Sequence, residues 1–261
     1  TQFGMKTYIF GHLPRAFSAL LLLLSSVATA QAQRTADWVD LSLGVANNHL
    51  WRGIAVSDGL VLCSDLALHD KYRRFRAGVW GGTNTSGDYK EFNFFGEVSL
   101  GGWKLSLWDT YNFSPGADYH HREFFNYSAR TTGRFLDCIL TYNVGHAVPR
   151  LPLTLTWSTI LFGRDRWSDN SANRYSTYVS AGLTLYRDAA WQFDLGLGGA
   201  FTLASHATDA STFYAHKAGV VHCELRALHQ VPITRTYSLP VYVTTVFNLS
   251  PTHISDPTSP S

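Results

Sequence analysis

The chain has 261 residues, of which 15% are charged and 14% aromatic, and its formal net charge is +2. So small a charge, with no basic run interleaved with aromatic residues, excludes nucleic acid as a partner. The charge is low and the aromatic content high for a soluble domain, yet the 45% of hydrophobic residues is too little for a bundle of membrane helices. The length suits one barrel or one large β domain.

The beginning of the chain resembles a secretory leader. Lys6 and Arg15 precede an apolar stretch over residues 16–28, and Ala28-Thr29-Ala30 and Ala30-Gln31-Ala32 are both small-x-small cleavage sites. This pattern predicts a signal peptide within residues 1–32, with an N-terminal anchor helix as the alternative. Because no later run of about 20 apolar residues exists to form a spanning helix, we expect export to the outer membrane of a Gram-negative bacterium.

The rest of the chain alternates with a period of two. In residues 190–203, one set of alternate positions is bulky and apolar, and the other is small or neutral. Successive side chains of a strand point to opposite faces, and a soluble sheet would carry more Lys and Glu on its polar face. The pattern therefore predicts a transmembrane strand with its apolar face toward lipid, and 190–203 is its clearest copy.

In chain order, the same alternation predicts eleven strands. They lie at about 38–50, 60–69, 74–80, 91–100, 103–112, 134–144, 153–162, 175–186, 190–203, 218–229 and 239–248. Strands of about ten residues separated by turns are typical of outer-membrane barrels, which have short periplasmic turns and longer external loops. We therefore predict an all-β fold, an antiparallel transmembrane β-barrel over residues 36–249. Residues 51–59, 82–89, 113–133, 163–173 and 204–215 are its predicted outer loops.

The strand number predicts an incomplete barrel. Such barrels have an even number of strands, so eleven strands suggest one missing from twelve. Residues 250–261 contain three prolines and no alternating apolar set, and they cannot supply it. We expect 38–50 and 239–248 to be open edges and 250–261 to be a disordered tail.

Most tryptophans fall near predicted strand ends, where barrels place aromatic girdles. They are accompanied by three tyrosines in similar positions. The set is Trp38, Trp51, Trp80, Trp103, Trp157, Trp191, Tyr142, Tyr175 and Tyr186.

Strand parity assigns ten charged side chains to the lumen. They are Asp40, Asp65, Arg74, Arg76, Glu97, Lys104, Asp137, Asp194, Glu224 and Arg226. Such charges form either a plug of ion pairs or a selectivity lining. Because both signs occur, no strong ion selectivity is expected. In the first loop, Arg52 and Asp58 are expected to pair across it or to line the barrel mouth.

Sequence motifs give no reason to expect an enzyme, a metal site or a cofactor. The chain has no H-E-x-x-H, and no G-x-S-x-G or G-x-G-x-x-G in a suitable context. The only His-x-Ser triplet, His253-Ile254-Ser255, lies in the proline-rich tail. Cys63, Cys138 and Cys223 are far apart and are interpreted as small strand residues.

The loop motif Trp51-Arg52-Gly53-Ile54-Ala55-Val56-Ser57-Asp58-Gly59 is specific enough to suggest a family. With Ala77-Gly78-Val79-Trp80-Gly81 it resembles the TorF-type porin family of Gram-negative bacteria. Weaker similarity extends through 157–159 and 238–242. The resemblance implies an outer-membrane barrel with a pore for small solutes, in contact with membrane lipid. It implies no particular solute and no catalytic residue.

Two alternatives remain open at this point. One is an outer-membrane enzyme that modifies lipids. The other is a secreted soluble barrel that binds an apolar ligand, which would turn the apolar faces inward.

Overall fold

The computed structural model describes residues 26–30, 38–235 and 237–248, and these residues form an all-β protein. Within these residues, one 3₁₀ turn spans Val144–His146. The strands are β1 Ser26–Ala30, β2 Val39–Trp51, β3 Ile54–His69, β4 Phe75–Asn84, β5 Lys90–Leu100, β6 Trp103–Asn112, β7 Arg134–Asn143, β8 Leu153–Gly163, β9 Ser176–Arg187, β10 Trp191–Thr202, β11 Gly219–Pro232 and β12 Ser238–Phe247. All pairings are antiparallel, so the predicted all-β antiparallel fold is confirmed.

The eleven long strands β2–β12 follow one another in a single sheet, each paired with its neighbour in sequence. Its edge strands, β2 and β12, do not pair with each other. The short strand β1 lies between them, with three residue pairs on each side, and completes the ring. The predicted sheet of eleven strands is therefore confirmed, and its two edges are not bonded to each other, but β1 covers part of both edges. This contact was not predicted because residues 26–30 were assigned to the leader, and the predicted tail 250–261 lies outside the described residues.

Strand β10 shows how the two faces of the wall differ. Leu195 and Leu197 are exposed on the outside, while Gly196 and Gly198 are buried on the inside. The same contrast recurs around the barrel, where many large apolar side chains are exposed on the outer face. Among them are Leu41, Leu43, Leu62, Leu66, Val98, Leu105, Leu107, Leu155, Leu195, Leu197 and Leu225. Large apolar side chains thus cover the outer face, which is the reverse of a soluble domain.

Small residues on the inner face make room for larger neighbours. A Cβ added at Gly198 would lie 2.3 Å from the hydroxyl oxygen of Tyr178, and one added at Gly196 would lie 2.6 Å from Cγ of Glu224. By contrast, a Cβ at Gly182 of β9 meets nothing within 4 Å. The small face of β10 is thus required by packing inside the lumen.

The two ends of the barrel differ in their connections. At one end, the turn end, the strands are joined by residues 70–74, 101–102, 144–152, 188–190 and 233–237. At the other, the loop end, residues 85–89, 113–133, 164–175 and 203–218 form the connections, together with one tight turn.

That tight turn corrects the first predicted loop. Residues 51–59 do not form a loop, because Arg52 and Gly53 alone connect β2 to β3. Their φ values of 51° and 84° are the positive values that a two-residue hairpin of type I′ requires. The register shifts twice near this hairpin, between Ala46 and Asn48 and between His49 and Leu50. These irregularities break the alternation from which the strand boundaries were predicted.

Aromatic side chains lie at the turn end on the outer face. Trp103 stacks near Tyr142 with ring centroids 4.4 Å apart, and Trp191 is also exposed. Trp51 and Trp80, however, point inward and were wrongly assigned to the girdles. Among the described residues no helix is long and apolar enough to cross a membrane.

We expect a charge on the outer face to prevent folding into lipid. Leu197→Arg places a guanidinium on the apolar band, which costs about 2–4 kcal/mol at the bilayer midplane. The matched control is Gly182→Arg, which puts the same charge into the lumen beside Gly196. The fraction folded in lipid vesicles, read from the gel mobility of unheated samples, should fall for Leu197→Arg only. Equal folding of the two variants would contradict an outer face that meets lipid.

Candidate functional site

The hairpin joining β2 to β3 leans into the lumen. A Cβ at Gly53 would lie 2.6 Å from Cβ of His222 and 2.9 Å from the carbonyl oxygen of Val221. Both residues belong to β11, which pairs with neither β2 nor β3. The backbone at the hairpin tip therefore packs directly on another part of the wall, and only glycine fits there.

Arg52 extends from this tip across the barrel. Its guanidinium donates to Asp137 Oδ2 and to the hydroxyl oxygen of Tyr214, both at 2.5 Å. It also lies over the rings of Trp51 and Tyr178, at 4.7 and 5.4 Å. Asp137 is on β7, five strands from β2 in the ring. The ion pair is buried, with 9% and 3% of the two side chains exposed.

Arg52 does not pair with Asp58 as the sequence suggested. Asp58 is exposed, and its carbonyl oxygen accepts from Ser57 Oγ at 3.1 Å. The expectation failed because it took Arg52 and Asp58 to bracket one loop, whereas only Arg52 lies in the turn.

Residues 203–218, the loop between β10 and β11, fold into the lumen onto this hairpin. Tyr214 and Ala215 are fully buried, and Phe213 packs on Trp51 and Phe135 with ring centroids 5.9 and 5.2 Å apart. Together, residues 51–54 and 213–215 form what we call the plug. The plug fills the lumen beside β8–β11, where Ile160, Tyr178 and Val221 belong to the same buried cluster.

Asp209 anchors the loop that carries the plug. Its carboxylate accepts from the backbone N–H of Ser168 at 3.1 Å and from the N–H and hydroxyl of Ser211. Arg174 lies 3.8 Å away. The hydrogen bond from the Ser211 hydroxyl, with those from the backbone, holds the pKa of Asp209 well below its usual range.

A cavity of about 790 Å³ remains open beside the plug, and we call it the conduit. Three neighbouring strands line it with alternate residues: Glu91, Asn93 and Glu97 of β5, Lys104, Ser106, Trp108, Thr110 and Asn112 of β6, and Phe135, Asp137, Ile139 and Thr141 of β7. Lys104 is next to the turn end, and Asn112 is the last residue of β6 at the loop end.

The conduit therefore follows the wall for most of its height. The strand between Lys104 and Asn112 is about 26 Å long at roughly 3.3 Å per residue. With a strand tilt of about 40°, this is roughly 20 Å along the barrel axis, close to the apolar band of about 25 Å in such barrels.

Predicted lumen charges meet in one network near the turn end. Arg76 is central: it pairs with Asp65, with Glu97 at 3.2 Å and with Asp40 at 3.6 Å. Lys104 lies 3.6 Å from Glu97, and Arg73 binds both carboxylate oxygens of Asp40 at 3.0 Å. Five of the ten predicted residues are thus joined through direct ion pairs.

Three further predicted residues lie on the opposite wall. Asp194 accepts from Thr184 Oγ1 at 2.8 Å and from the amide of Gln192. Glu224 contacts His222 Nε2 at 3.3 Å, and the guanidinium of Arg226 lies 4.2 Å from the ring centroid of Tyr242. None of these three residues belongs to the network around Arg76 or to the lining of the conduit.

Arg74 is the one predicted lumen residue that the structure puts elsewhere. It lies exposed in the turn before β4, with its guanidinium 5.3 Å from the ring of Tyr72. The carboxylate of Asp70 accepts from the backbone N–H groups of Tyr72 and Phe75. Because of this capped turn, β4 begins at Phe75, one residue after the predicted start.

Residues 113–133 have two separate roles. Ser114 and Tyr119 line the loop end of the conduit. Phe124 instead packs on Phe92 and Phe94 of the outer face, with centroids 6.0 and 6.2 Å apart. The loop therefore caps the conduit with its first half and covers the outside of the wall with its second.

Within the described ranges, no group of three or more His, Cys, Asp or Glu residues is arranged to hold a metal ion. Cys63, Cys138 and Cys223 are free thiols. The His253-Ile254-Ser255 triplet lies outside the described residues.

A double-mutant cycle tests the ion pair between Arg52 and Asp137. Arg52→Met or Asp137→Leu alone leaves a buried charge without its partner, which costs about 3–5 kcal/mol. The double variant removes both charges and should regain much of this loss. Thermal unfolding in detergent measures the free energies, with Arg73→Ala, at an exposed pair, as a near-neutral control. Additive effects of the two single changes would mean that the contact does not couple the walls.

Acid should release the loop that Asp209 anchors. Because the pKa of Asp209 is lowered by folding, its contribution to stability is present above the ordinary carboxyl value of about 3.9 and is lost as the pH falls below it. Protease cleavage within residues 203–218 should therefore increase between pH 5 and pH 2, measured with an acid-active protease.

The control for this measurement is Asp209→Asn, which cannot titrate. Its cleavage should start higher and change less over the same pH range. Parallel pH profiles for the two proteins would exclude Asp209 as the cause.

Comparison with family models, with curated proteins and with solved structures gives no match for this chain, so its fold and its site geometry carry the functional argument.

Proposed function

We propose that the protein is an outer-membrane β-barrel of a Gram-negative bacterium that lets small solutes pass through its conduit. The exposed apolar residues of the outer face support the membrane location. Removing such side chains from water is worth roughly 25 cal/mol per Å² of apolar area. Lipid around the barrel would therefore stabilise this outer face more than water would. The basic and leucine-rich pattern of residues 6–24, which precedes β1, supports export.

The orientation follows from the connections. In bacterial barrels the short turns face the periplasm and the longer loops face outside. The turn end, with the network around Arg76, would then be periplasmic. The loop end, with the plug and residues 113–133, would be external. Similarity to the TorF-type porin family, carried by residues 51–59, agrees with this proposal but names no solute.

The conduit is the observation that carries the proposed function. It is lined by alternate residues of β5, β6 and β7 from Asn112 to Lys104, so it follows the wall from the loop end almost to the turn end. The plug packs into the buried cluster beside β8–β11 and narrows the lumen there. The proposed route is therefore narrow and suits small solutes.

An enzyme is less well supported. Tyr178, His222 and Glu224 form a chain of contacts, with 2.6 Å from the tyrosine hydroxyl to Nδ1 and 3.3 Å from Nε2 to the carboxylate. Both imidazole nitrogens are thus engaged, and none of the three residues lines the conduit. A secreted soluble barrel that binds an apolar ligand would turn its apolar strand faces inward, whereas Leu195, Leu197 and similar residues are exposed on the outer face.

Planar-bilayer recording of the refolded protein tests the proposal. We expect discrete channel events in the wild type and a conductance at least twofold lower for Thr141→Trp, because Thr141 lines the conduit. Gly182→Trp is the control: it adds the same bulk on β9, away from the conduit. A lipase assay is run on the same sample. A barrel that is silent in bilayers but hydrolyses phospholipid would overturn the proposal in favour of an enzyme.

A further inference from the structure

We propose that the loop half of the conduit is a recognition site for small organic cations with an aromatic or apolar body. This inference deepens the proposed function, since it names the class of solute that the conduit takes. It rests on the charges that line the conduit, on one buried acceptor without a partner and on the aromatic side chains around them.

Charged side chains of the conduit are paired near the turn end but not toward the loop end. Near the turn end, Glu97 is neutralised by Arg76 and Lys104. Toward the loop end, Glu91 accepts from the amides of Asn93 and Asn112, at 2.8 and 3.4 Å. In the described part of the chain, no basic side chain lies within 4 Å of the Glu91 carboxylate. The carboxylate of Glu91 is therefore held by two amides and forms no ion pair with a basic side chain of the described residues.

Two more carboxylates extend this negative region. Asp88 and Asp118 line the conduit near its external mouth. Two basic side chains also line this part of the conduit, His49 and Arg164, and the guanidinium of Arg164 lies 3.8 Å over the ring of Tyr119. A cation entering from the loop end thus meets an excess of carboxylates, which attracts it and repels anions.

Asp137 carries a hydrogen-bond acceptor that has no donor. Its Oδ2 atom binds Arg52, but Oδ1 is buried and has no hydrogen-bond partner in the structure. The side chain is 3% exposed and belongs to the lining of the conduit. A buried acceptor without a donor costs roughly 1–3 kcal/mol. An N–H group of a bound cation would supply that donor, and an anion would not.

Aromatic side chains form part of the conduit wall. Trp80 and Trp108 line the conduit on β4 and β6. Trp108 is held by stacking on Phe95 at 4.7 Å, and His49 lies 5.7 Å from the ring of Trp80. Indole faces attract ammonium groups and also pack against apolar ligand bodies. The whole conduit, of which this site is the loop half, has a volume of about 790 Å³, compared with roughly 300–1,000 Å³ for small-molecule sites.

Benzyltrimethylammonium and benzenesulfonate are the probes for the test, since they share a ring and carry opposite charges. Tryptophan fluorescence of the refolded full chain in detergent measures binding. We expect saturable binding of the cation and at least tenfold weaker binding of the anion. In bilayers the cation should block the channel from the loop side, and the reversal potential in a KCl gradient should favour K⁺.

The variant Glu91→Gln keeps the volume of the side chain and removes its charge. It should weaken cation binding about tenfold and lower the preference for K⁺. Glu123→Gln is the matched control, because Glu123 is an exposed loop carboxylate outside the conduit. If Glu91→Gln does not fold, the comparison of the two probes on the wild type still decides the question.

The outcomes separate the site from the channel. Cation binding without conductance would support the site and overturn the proposed channel function. Conductance without preferential cation binding, or equal binding to the wild type and to Glu91→Gln, would overturn the site and leave the channel standing.

Discussion

The interior of this barrel depends on one ion pair that crosses it, between Arg52 and Asp137. A buried guanidinium is tolerated only with a charged partner and further hydrogen-bond acceptors. Arg52 has both, because Asp137 Oδ2 and the hydroxyl of Tyr214 each lie 2.5 Å from it. The contact fixes three parts of the chain together: the first hairpin, the middle of β7 and the loop that precedes β11. The arrangement of the lumen follows from that connection.

The position of the plug decides where solute can pass. Arg52 reaches from the first hairpin to β7, and the buried cluster around Tyr178 and Tyr214 fills one side of this line. The other side is bounded by β4–β7 and keeps an open cavity lined by alternate polar and aromatic residues. Asp137 lies at the boundary of the two sides. Its Oδ2 atom accepts from Arg52 of the plug, and its Oδ1 atom has no hydrogen-bond donor. The same residue thus links the closed half of the lumen to the open half.

The fold was predictable from the sequence wherever one face of a strand was apolar. In β10, alternation of Leu195 and Leu197 with Gly196 and Gly198 requires two different environments, and a one-residue error would exchange them. The lumen charges on the regular parts of β4–β6 were found by the same parity. Residues 51–59 were interpreted as a loop because the predicted alternation stops there, and this interpretation was wrong.

What could not be predicted involves irregular backbone. The register shifts near Ala46 and His49 hide the tight turn at Arg52. Residues 203–218 have no periodicity, so nothing in them indicated that Tyr214 is buried. The same applies to Arg134 on the outer face, which pairs with Asp109 at 2.8 Å beneath the ring of Phe124. Each case depends on a loop packing against a distant strand, and local patterns carry no information about such contacts.

The contacts of Arg52 also have a consequence for the order of folding. Its two partners are 85 and 162 residues away in sequence, and contacts between distant residues form only after the intervening chain is arranged. The hairpin of β2 and β3 can form early, because its strands are adjacent. Its tip can bind only once β7 is in place, and it is secured only when residues 203–218 arrive. The plug therefore cannot be complete until both distant segments are in position, so it forms later than the hairpin that carries Arg52.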